Sequence, residues 1–263
     1  MSAIEDTHRR RAFDDPDVAR ANAHRAPYPD SLIARLAELA PRRGRLLDLG
    51  CGPGKLTLPL AGRFDGVDAV DPAQAMIAAA KSLALATNIN WIVADAEAAP
   101  LAGPYDLITA GASIHWMRLE VLAPRLRPHV AQDGLLAIIA GDEPHQPPWA
   151  DRWPAFLKRW IELMGGTYDR PAFEAEGETY RAWVDVQGEE TFPTTIRQSV
   201  EDFIEGEHSR GAWARRKMGA ERAAAFDAEL RDLLAPHADD GMLIYDVRPK
   251  LTYGRLALAS FVP

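Results

Sequence analysis

The chain has 263 residues, a net charge of −8 and 47% apolar residues, the composition of a globular protein, which excludes extensive disorder. A single cysteine, Cys51, excludes an internal disulfide and a zinc site built from several cysteines. The acidic balance disfavours nucleic acid as a partner, because phosphate contacts need a basic surplus. With no apolar run of 18 residues and a charged, signal-free beginning, we expect a cytoplasmic protein that does not bind membranes.

The first clear helical pattern follows Pro29, where apolar residues from Leu32 to Leu39 recur with the 3.6-residue period. From there to Gly141, short apolar runs alternate with helical patterns. Strands are predicted at 46–49, 67–70, 91–94, 105–110 and 135–140, and helices near 55, 72–85 and 119–127. Nearly continuous apolar strands separated by helices indicate a parallel sheet covered on both faces, so we predict a doubly wound, Rossmann-like α/β fold.

The pattern changes after Gly141 and divides the chain into three predicted segments. Residues 1–141 form the cofactor-binding core together with N-terminal helices. Residues 142–241 form a mainly helical insertion that carries acceptor recognition and has one strand near 191–197. Residues 242–263 regain strand character and are predicted to close the core sheet.

A glycine-rich turn follows the first predicted strand, in the sequence Asp48-Leu49-Gly50-Cys51-Gly52-Pro53-Gly54-Lys55. Ligands of doubly wound sheets bind at the carboxyl ends of strands, and such glycines let a ligand approach the backbone closely. The G-x-G-x-G spacing differs from the G-x-G-x-x-G of dinucleotide sites, which disfavours an NAD-dependent dehydrogenase. A phosphate-binding P-loop is excluded because Leu occupies positions 49 and 56.

Two carboxylates occupy corresponding places on the neighbouring strands. Asp71 ends the second predicted strand, and Asp95 follows the third. A carboxylate at the end of the second strand can accept both hydroxyls of a ribose. Alternatively, Asp71 caps the helix that starts near Pro72, with Gln74 as its capping-box partner, and Asp95 is an ordinary loop residue. The glycine turn and the two acids together favour a nucleoside site.

These motifs resemble the class I S-adenosylmethionine-dependent methyltransferases, with the resemblance running over roughly residues 20–141. It implies a mostly parallel seven-stranded sheet with an antiparallel last strand, and S-adenosyl-L-methionine (SAM) as the cofactor. It also implies how the protein contacts SAM. Gly50 and Gly52 would line the methionine part and Asp71 would hold the ribose, while Asp48 would support the turn or bind the cofactor amine. Met76 would pack on the adenine, and Asp95 and the Ala96 amide would bind the adenine edge.

A second resemblance concerns the acceptor side. The pair His115-Trp116 after the fourth strand, with Arg25 and Tyr28 upstream, looks like the trans-aconitate methyltransferase-like branch, which acts on small molecules and often on acids. This implies that Arg25 meets the cofactor carboxylate, that Tyr28 closes over the site and that Trp116 contacts the acceptor. His115 has the intrinsic pKa of a general base, and a purely structural hydrogen bond is its alternative role. The histidines show no metal-ligand spacing, so no metal is predicted.

From these residues we expect SAM-dependent methyl transfer to a small-molecule acceptor, as O-methylation of a carboxylate or hydroxyl by in-line displacement. Two alternatives stay open. An RNA methyltransferase is disfavoured by the acidic charge, whereas a non-catalytic cofactor-binding protein would share the same fold and binding residues. The sequence identifies neither the acceptor nor the oligomeric state.

Overall fold

The computed structural model describes residues 11–169 and 178–257, which fall into two compact units. The core unit comprises Pro27–Gly141, Glu174–Phe192 and Pro249–Pro263, and the second unit comprises Met1–Ala26, Asp142–Phe173 and Pro193–Arg248. The parts of the predicted segments that fall on residues 1–10, 170–177 and 258–263 lie outside the described residues. Within the described ranges, no helix is long and apolar enough to cross a membrane.

The helices and strands alternate along most of the core unit. The α-helices are α1 Pro16–Ala21, α2 Asp30–Leu39, α3 Thr57–Ala61, α4 Gln74–Leu83, α5 Leu119–Leu126, α6 Trp153–Leu163, α7 Val200–His208, α8 Arg215–Met218 and α9 Ala220–Leu234. The strands are β1 Arg45–Leu49, β2 Gly66–Asp71, β3 Ile89–Val93, β4 Tyr105–Gly111, β5 Val130–Ala140, β6 Pro144–His145, β7 Val184–Thr191, β8 Thr194–Ser199, β9 Met242–Val247 and β10 Lys250–Leu256.

The core unit contains a seven-stranded sheet in the order β3-β2-β1-β4-β5-β10-β7. The first five strands of this order, β3, β2, β1, β4 and β5, pair in parallel with their neighbours. Strand β10 is antiparallel to both β5 and β7. Strands β1, β2 and β4 are buried almost throughout, as expected for a parallel sheet covered on both faces. The predicted seven-stranded fold with an antiparallel last strand is therefore confirmed. The strand order reverses between β1 and β4, where open α/β sheets form their ligand crevice.

One polar cluster lies near the amino-terminal ends of the strands, around the buried side chains of Asp68 and Tyr105. Asp68 on β2 accepts hydrogen bonds from Arg45 Nη2 at 2.7 Å, from the Tyr105 hydroxyl at 2.7 Å and from Asn90 Nδ2 at 2.9 Å. Burial disfavours the charge of Asp68, but these hydrogen bonds outweigh it and hold the pKa of the carboxyl below its ordinary value. The cluster thus anchors four strands at the end of the sheet opposite the glycine turn.

The boundaries of the two units differ from the predicted segments. Strand β9 was predicted to close the core sheet, but it pairs with β6 and β8 in a separate three-stranded sheet of the second unit. Its residues alternate between buried and exposed, as in a sheet with one covered face. Conversely, β7 lies inside the predicted helical insertion and supplies the edge strand of the core sheet. The described N-terminal residues up to Ala26 belong to the second unit rather than to the core.

An aromatic core holds the second unit together. Trp149, Phe156, Trp160 and Phe226 are almost fully buried, and the ring centroids of Trp160 and Phe226 lie 5.2 Å apart. The arginines after α7 pair with acids of the same unit: Arg210 with Glu143 and Glu207, Arg215 with Glu205 and Asp227, and Arg216 with Asp15.

Candidate functional site

The glycine turn after β1 has the backbone shape that its sequence predicts. Gly50, Gly52 and Gly54 have φ values of +64°, +53° and +88°, a region that favours glycine. A Cβ on Gly50 would lie 2.5 Å from the Ser113 Cβ, and one on Gly54 would lie 2.9 Å from Leu58 Cγ. A Cβ on Gly52 would meet no atom within 4 Å. Gly50 and Gly54 therefore pack against the protein, while the backbone at Gly52 is open to a ligand.

A buried carboxylate supports this turn from below. Asp48 is 1% exposed and accepts hydrogen bonds from the Thr57 hydroxyl at 2.5 Å and the Thr109 hydroxyl at 2.8 Å. No salt bridge in the described part of the chain includes Asp48. Burial raises the pKa of Asp48 to about 6, against the two hydroxyl hydrogen bonds, and the charge of Asp71 adds to the rise. Asp48 thus connects the turn with α3 and β4.

Asp71 lies at the carboxyl end of β2, directly beside the turn. Its Oδ2 accepts the Gly52 amide at 2.9 Å, and its Oδ1 accepts the Ala73 amide at 2.9 Å. A carboxylate has about four acceptor positions, so a side chain of this type can bind backbone amides and ribose hydroxyls together. The alternative capping role is partly present as well, since Asp71 holds the Ala73 amide just before α4 begins at Gln74.

The segment after β3 continues this edge of the sheet. The Ala94 amide donates to the Asp71 carbonyl at 3.2 Å, which places Asp95 next to Asp71 along the edge. The side chain of Asp95 is exposed, and its carbonyl accepts the amides of Ala98 and Ala99 at 2.9 Å. Ala96 is buried, and its amide donates to no described residue.

Met76 on α4 is 2% exposed and so has little surface open to a ligand in this structure.

The loop after β4 approaches the glycine turn across the point where the strand order reverses between β1 and β4. Ala112 has φ +50°, unusual for a residue other than glycine, and its amide donates to the Ile139 carbonyl at 2.8 Å. His115 is exposed, Trp116 is half-buried, and their ring centroids lie 4.9 Å apart. The structure therefore presents both predicted acceptor-side residues on one short 3₁₀ helix, Ile114–Trp116.

Tyr28 and Arg25 are close in sequence but belong to different units. The Tyr28 hydroxyl lies 3.0 Å from the position that a Cβ on Gly111 would take, which puts it at the carboxyl end of β4. The Arg25 guanidinium pairs with Asp142 at 2.5 Å. The predicted contact of Arg25 with the cofactor stays a prediction.

Several residues of this site were not singled out by the sequence. Thr57 and Thr109 bind Asp48, and Ser113 donates its hydroxyl to the Leu49 carbonyl at 2.7 Å. Threonine and serine on apolar elements carry no motif, so only their contacts in the fold identify them. Across residues 11–169 and 178–257, no group of three or more His, Cys, Asp or Glu residues is arranged to hold a metal ion.

Comparisons with known proteins agree with this geometry. Residues 46–134 match a family model described as a methyltransferase domain. A trans-aconitate 2-methyltransferase of Streptomyces avermitilis is 29% identical over 245 residues, 85% of this chain and 88% of that protein. A protein of the same name from Delftia acidovorans is 40% identical over 127 residues, 45% of this chain and 44% of its own length. A solved structure from Anaeromyxobacter dehalogenans, assigned as a type II methyltransferase, is 27% identical with a TM-score of 0.65, covering 88% of this chain and 97% of its own.

The fold, the glycine turn and these matches define the class: the chain is a SAM-dependent methyltransferase, as the sequence predicted. Within this class it is similar to proteins named trans-aconitate 2-methyltransferase. It spans most of the length of the Streptomyces relative but less than half of the Delftia relative.

Proposed function

We propose that this chain transfers a methyl group from SAM to a carboxylate oxygen of a small-molecule acid. The residues of the site fit the cofactor in two respects. The Gly52 backbone is open to a ligand, since a Cβ there would meet no atom within 4 Å, and backbone amides orient both oxygens of the Asp71 carboxylate beside the turn. The Ala96 amide, which donates to no described residue, would serve as a donor to the adenine at the same edge, with Asp95 beside it.

When bound, SAM supplies an electrophilic methyl carbon and a neutral leaving group, so the protein has to orient the reactants and exclude water. A carboxylate acceptor is already ionised at neutral pH and needs no base. His115 would then orient the acceptor, whereas a hydroxyl acceptor would require it to accept a proton.

The choice of a carboxylate as the methyl acceptor rests on the distribution of charge around the site. The cofactor side holds three acids, Asp48, Asp71 and Asp95, which suit a cationic cofactor. The loop after β4, residues 112–118, contains no acidic side chain and includes His115, while its arginine, Arg118, pairs with the buried Glu97 from the segment after β3. An anionic acceptor on that side would meet no like charge from the loop. The names of the relatives support the same choice, since trans-aconitate is a carboxylic acid.

Alkali treatment of the product tests the proposal directly. The protein is incubated with methyl-labelled SAM and trans-aconitate, and the product is exposed to mild alkali. A methyl ester releases labelled methanol, whereas a methyl ether or N-methyl product keeps its label. We expect a labelled, alkali-labile product from the acid. Transfer to hydroxyl compounds alone, with an alkali-stable product, would contradict carboxylate methylation.

A pair of variants at the two ends of β2 provides the control. Asp71→Asn removes a ribose acceptor beside the turn and should weaken cofactor binding. Asp65→Asn changes an exposed carboxylate that precedes the opposite end of β2 and should leave binding as it is. Equal loss of methyl transfer in both variants would contradict the assigned role of Asp71.

A further inference from the structure

The inner face of Gly50 is covered by residues that come from the loop after β4. The Ser113 Cβ lies 2.5 Å, and the Met117 Cε 3.4 Å, from the position that a Cβ on Gly50 would take. Ser113 is 6% exposed. The acceptor-side loop and the cofactor turn therefore pack so closely at this point that a side chain on Gly50 would clash with the loop.

A hydrogen bond joins the same two segments. The Ser113 hydroxyl donates to the Leu49 carbonyl at 2.7 Å. That carbonyl belongs to the peptide that leads into Gly50, so the bond fixes the orientation of this peptide as well as the position of Ser113. Because the bond is buried, its loss would leave an acceptor without this donor in a site shielded from water.

Ser113 also fixes the residues that follow it. The Trp116 amide donates to the Ser113 carbonyl at 3.0 Å, and the Met117 amide donates to the Ile114 carbonyl at 3.1 Å. On the other side, Ala112 is held in a strained conformation by its bond to Ile139. His115 and Trp116 are thus carried by a short segment tied at one end to β5 and at Ser113 to the cofactor turn.

We propose that Ser113 is a positioning residue that couples the glycine turn to the His115-Trp116 segment, so that binding of the cofactor also orders the acceptor side. This inference rests on the proposed function, because it concerns the same cofactor site. In-line transfer depends on the relative position of the methyl donor and the acceptor. The glycine turn would hold the donor, and the His115-Trp116 segment would hold the acceptor.

Hydrogen exchange with the product cofactor S-adenosylhomocysteine (SAH) tests the coupling without knowledge of the acceptor. In the wild-type chain, SAH should slow exchange both in the turn at 50–54 and at the amides of Trp116 and Met117. In Ser113→Ala, which keeps the Cβ contact, SAH should still bind and protect the turn but no longer slow exchange at these two amides. We also expect kcat with saturating SAM to fall by about tenfold to a hundredfold, with a smaller change in KM for SAM.

Ser209→Ala is the matched control. Ser209 is fully buried and donates its hydroxyl to the Gly206 carbonyl at 2.6 Å, but it belongs to the second unit. This variant should show a similar fall in Tm and keep the wild-type exchange response. If Ser113→Ala responds to SAH as the wild type does, the coupling is overturned while the proposed function stands. If the wild-type chain binds no SAH, the proposed function fails and this inference fails with it.

Discussion

Replacing Asp48 with Asn should stabilise the protein in a pH-dependent way. Burial raises the pKa of Asp48 from 3.8 to about 6, so its ionised form is disfavoured in the folded chain. A raised carboxyl pKa contributes stability that is fully present below about pH 4, where the group is protonated in both states. That contribution is lost as the pH rises to about 6, because the folded chain must then carry the buried charge.

The pKa difference gives the size of the effect. Each pKa unit corresponds to about 1.4 kcal/mol, so the change from 3.8 to about 6 costs the wild-type chain ~3 kcal/mol above pH 6. The Asn side chain can keep both threonine contacts. The new amide N–H can donate to the Thr109 hydroxyl oxygen. The Thr109 hydroxyl, which donates to Asp48 in the wild type, lies 3.4 Å from the Leu47 carbonyl and can donate to that carbonyl in the variant. Asp48→Asn therefore avoids the cost of ionisation and keeps a hydrogen bond to each threonine.

Urea unfolding at a series of pH values measures this prediction. The unfolding free energy of Asp48→Asn minus that of the wild type should grow by about 3 kcal/mol between pH 4 and pH 7, and then level off. Asp65→Asn, which removes an exposed carboxylate, should show no such growth. A difference for Asp48→Asn that is constant over this range, or that falls as the pH rises, would refute the reasoning.

Three further predictions concern other parts of the core unit. Gly52→Ala should cost only about 1 kcal/mol of stability yet abolish SAH binding in calorimetry, whereas Gly50→Ala, with its clash against Ser113, should cost about 3 kcal/mol or more in urea unfolding. His115→Ala should lower kcat strongly with a hydroxyl acceptor and weakly with a carboxylate, and wild-type turnover of this variant with every acceptor would contradict both a base and an orienting role. Tyr105→Phe removes a hydrogen bond to Asp68 and should cost about 1–3 kcal/mol at pH 7. Because the pKa of Asp68 is lowered in the folded chain, this deficit should shrink as the pH falls through that pKa, and a deficit independent of pH would contradict the assignment.

The sequence was sufficient for the parts of the fold that depend on local pattern. The apolar runs of β1, β2 and β4 and the three glycines of the turn could be predicted because burial on both faces and positive φ leave clear signatures. The partner of β9 could not be predicted, since alternation shows that one face is covered but not which strands lie alongside. The edge position of β7 depends in the same way on long-range pairing with β10.

The same distinction between local sequence pattern and long-range contact applies to the residues of the site. The glycine turn, Asp71 and Asp95 could be predicted to share one edge because parallel strands bring their carboxyl ends together. Ser113 and Thr109 could not be identified, because their roles depend on single contacts with Leu49 and Asp48 that arise only when β1 and β4 lie side by side. The pairing of Arg25 with Asp142 joins residues more than a hundred positions apart, and no local pattern predicts it.

A crystal structure of the wild-type chain grown with SAH tests the central claim most directly. We predict that the ribose hydroxyls lie within hydrogen-bond distance of the Asp71 carboxylate, with the adenine beside Asp95 and the Ala96 amide and the homocysteine along Gly52. Adenosine bound away from this edge of the core sheet, or no SAH bound at all, would contradict the account.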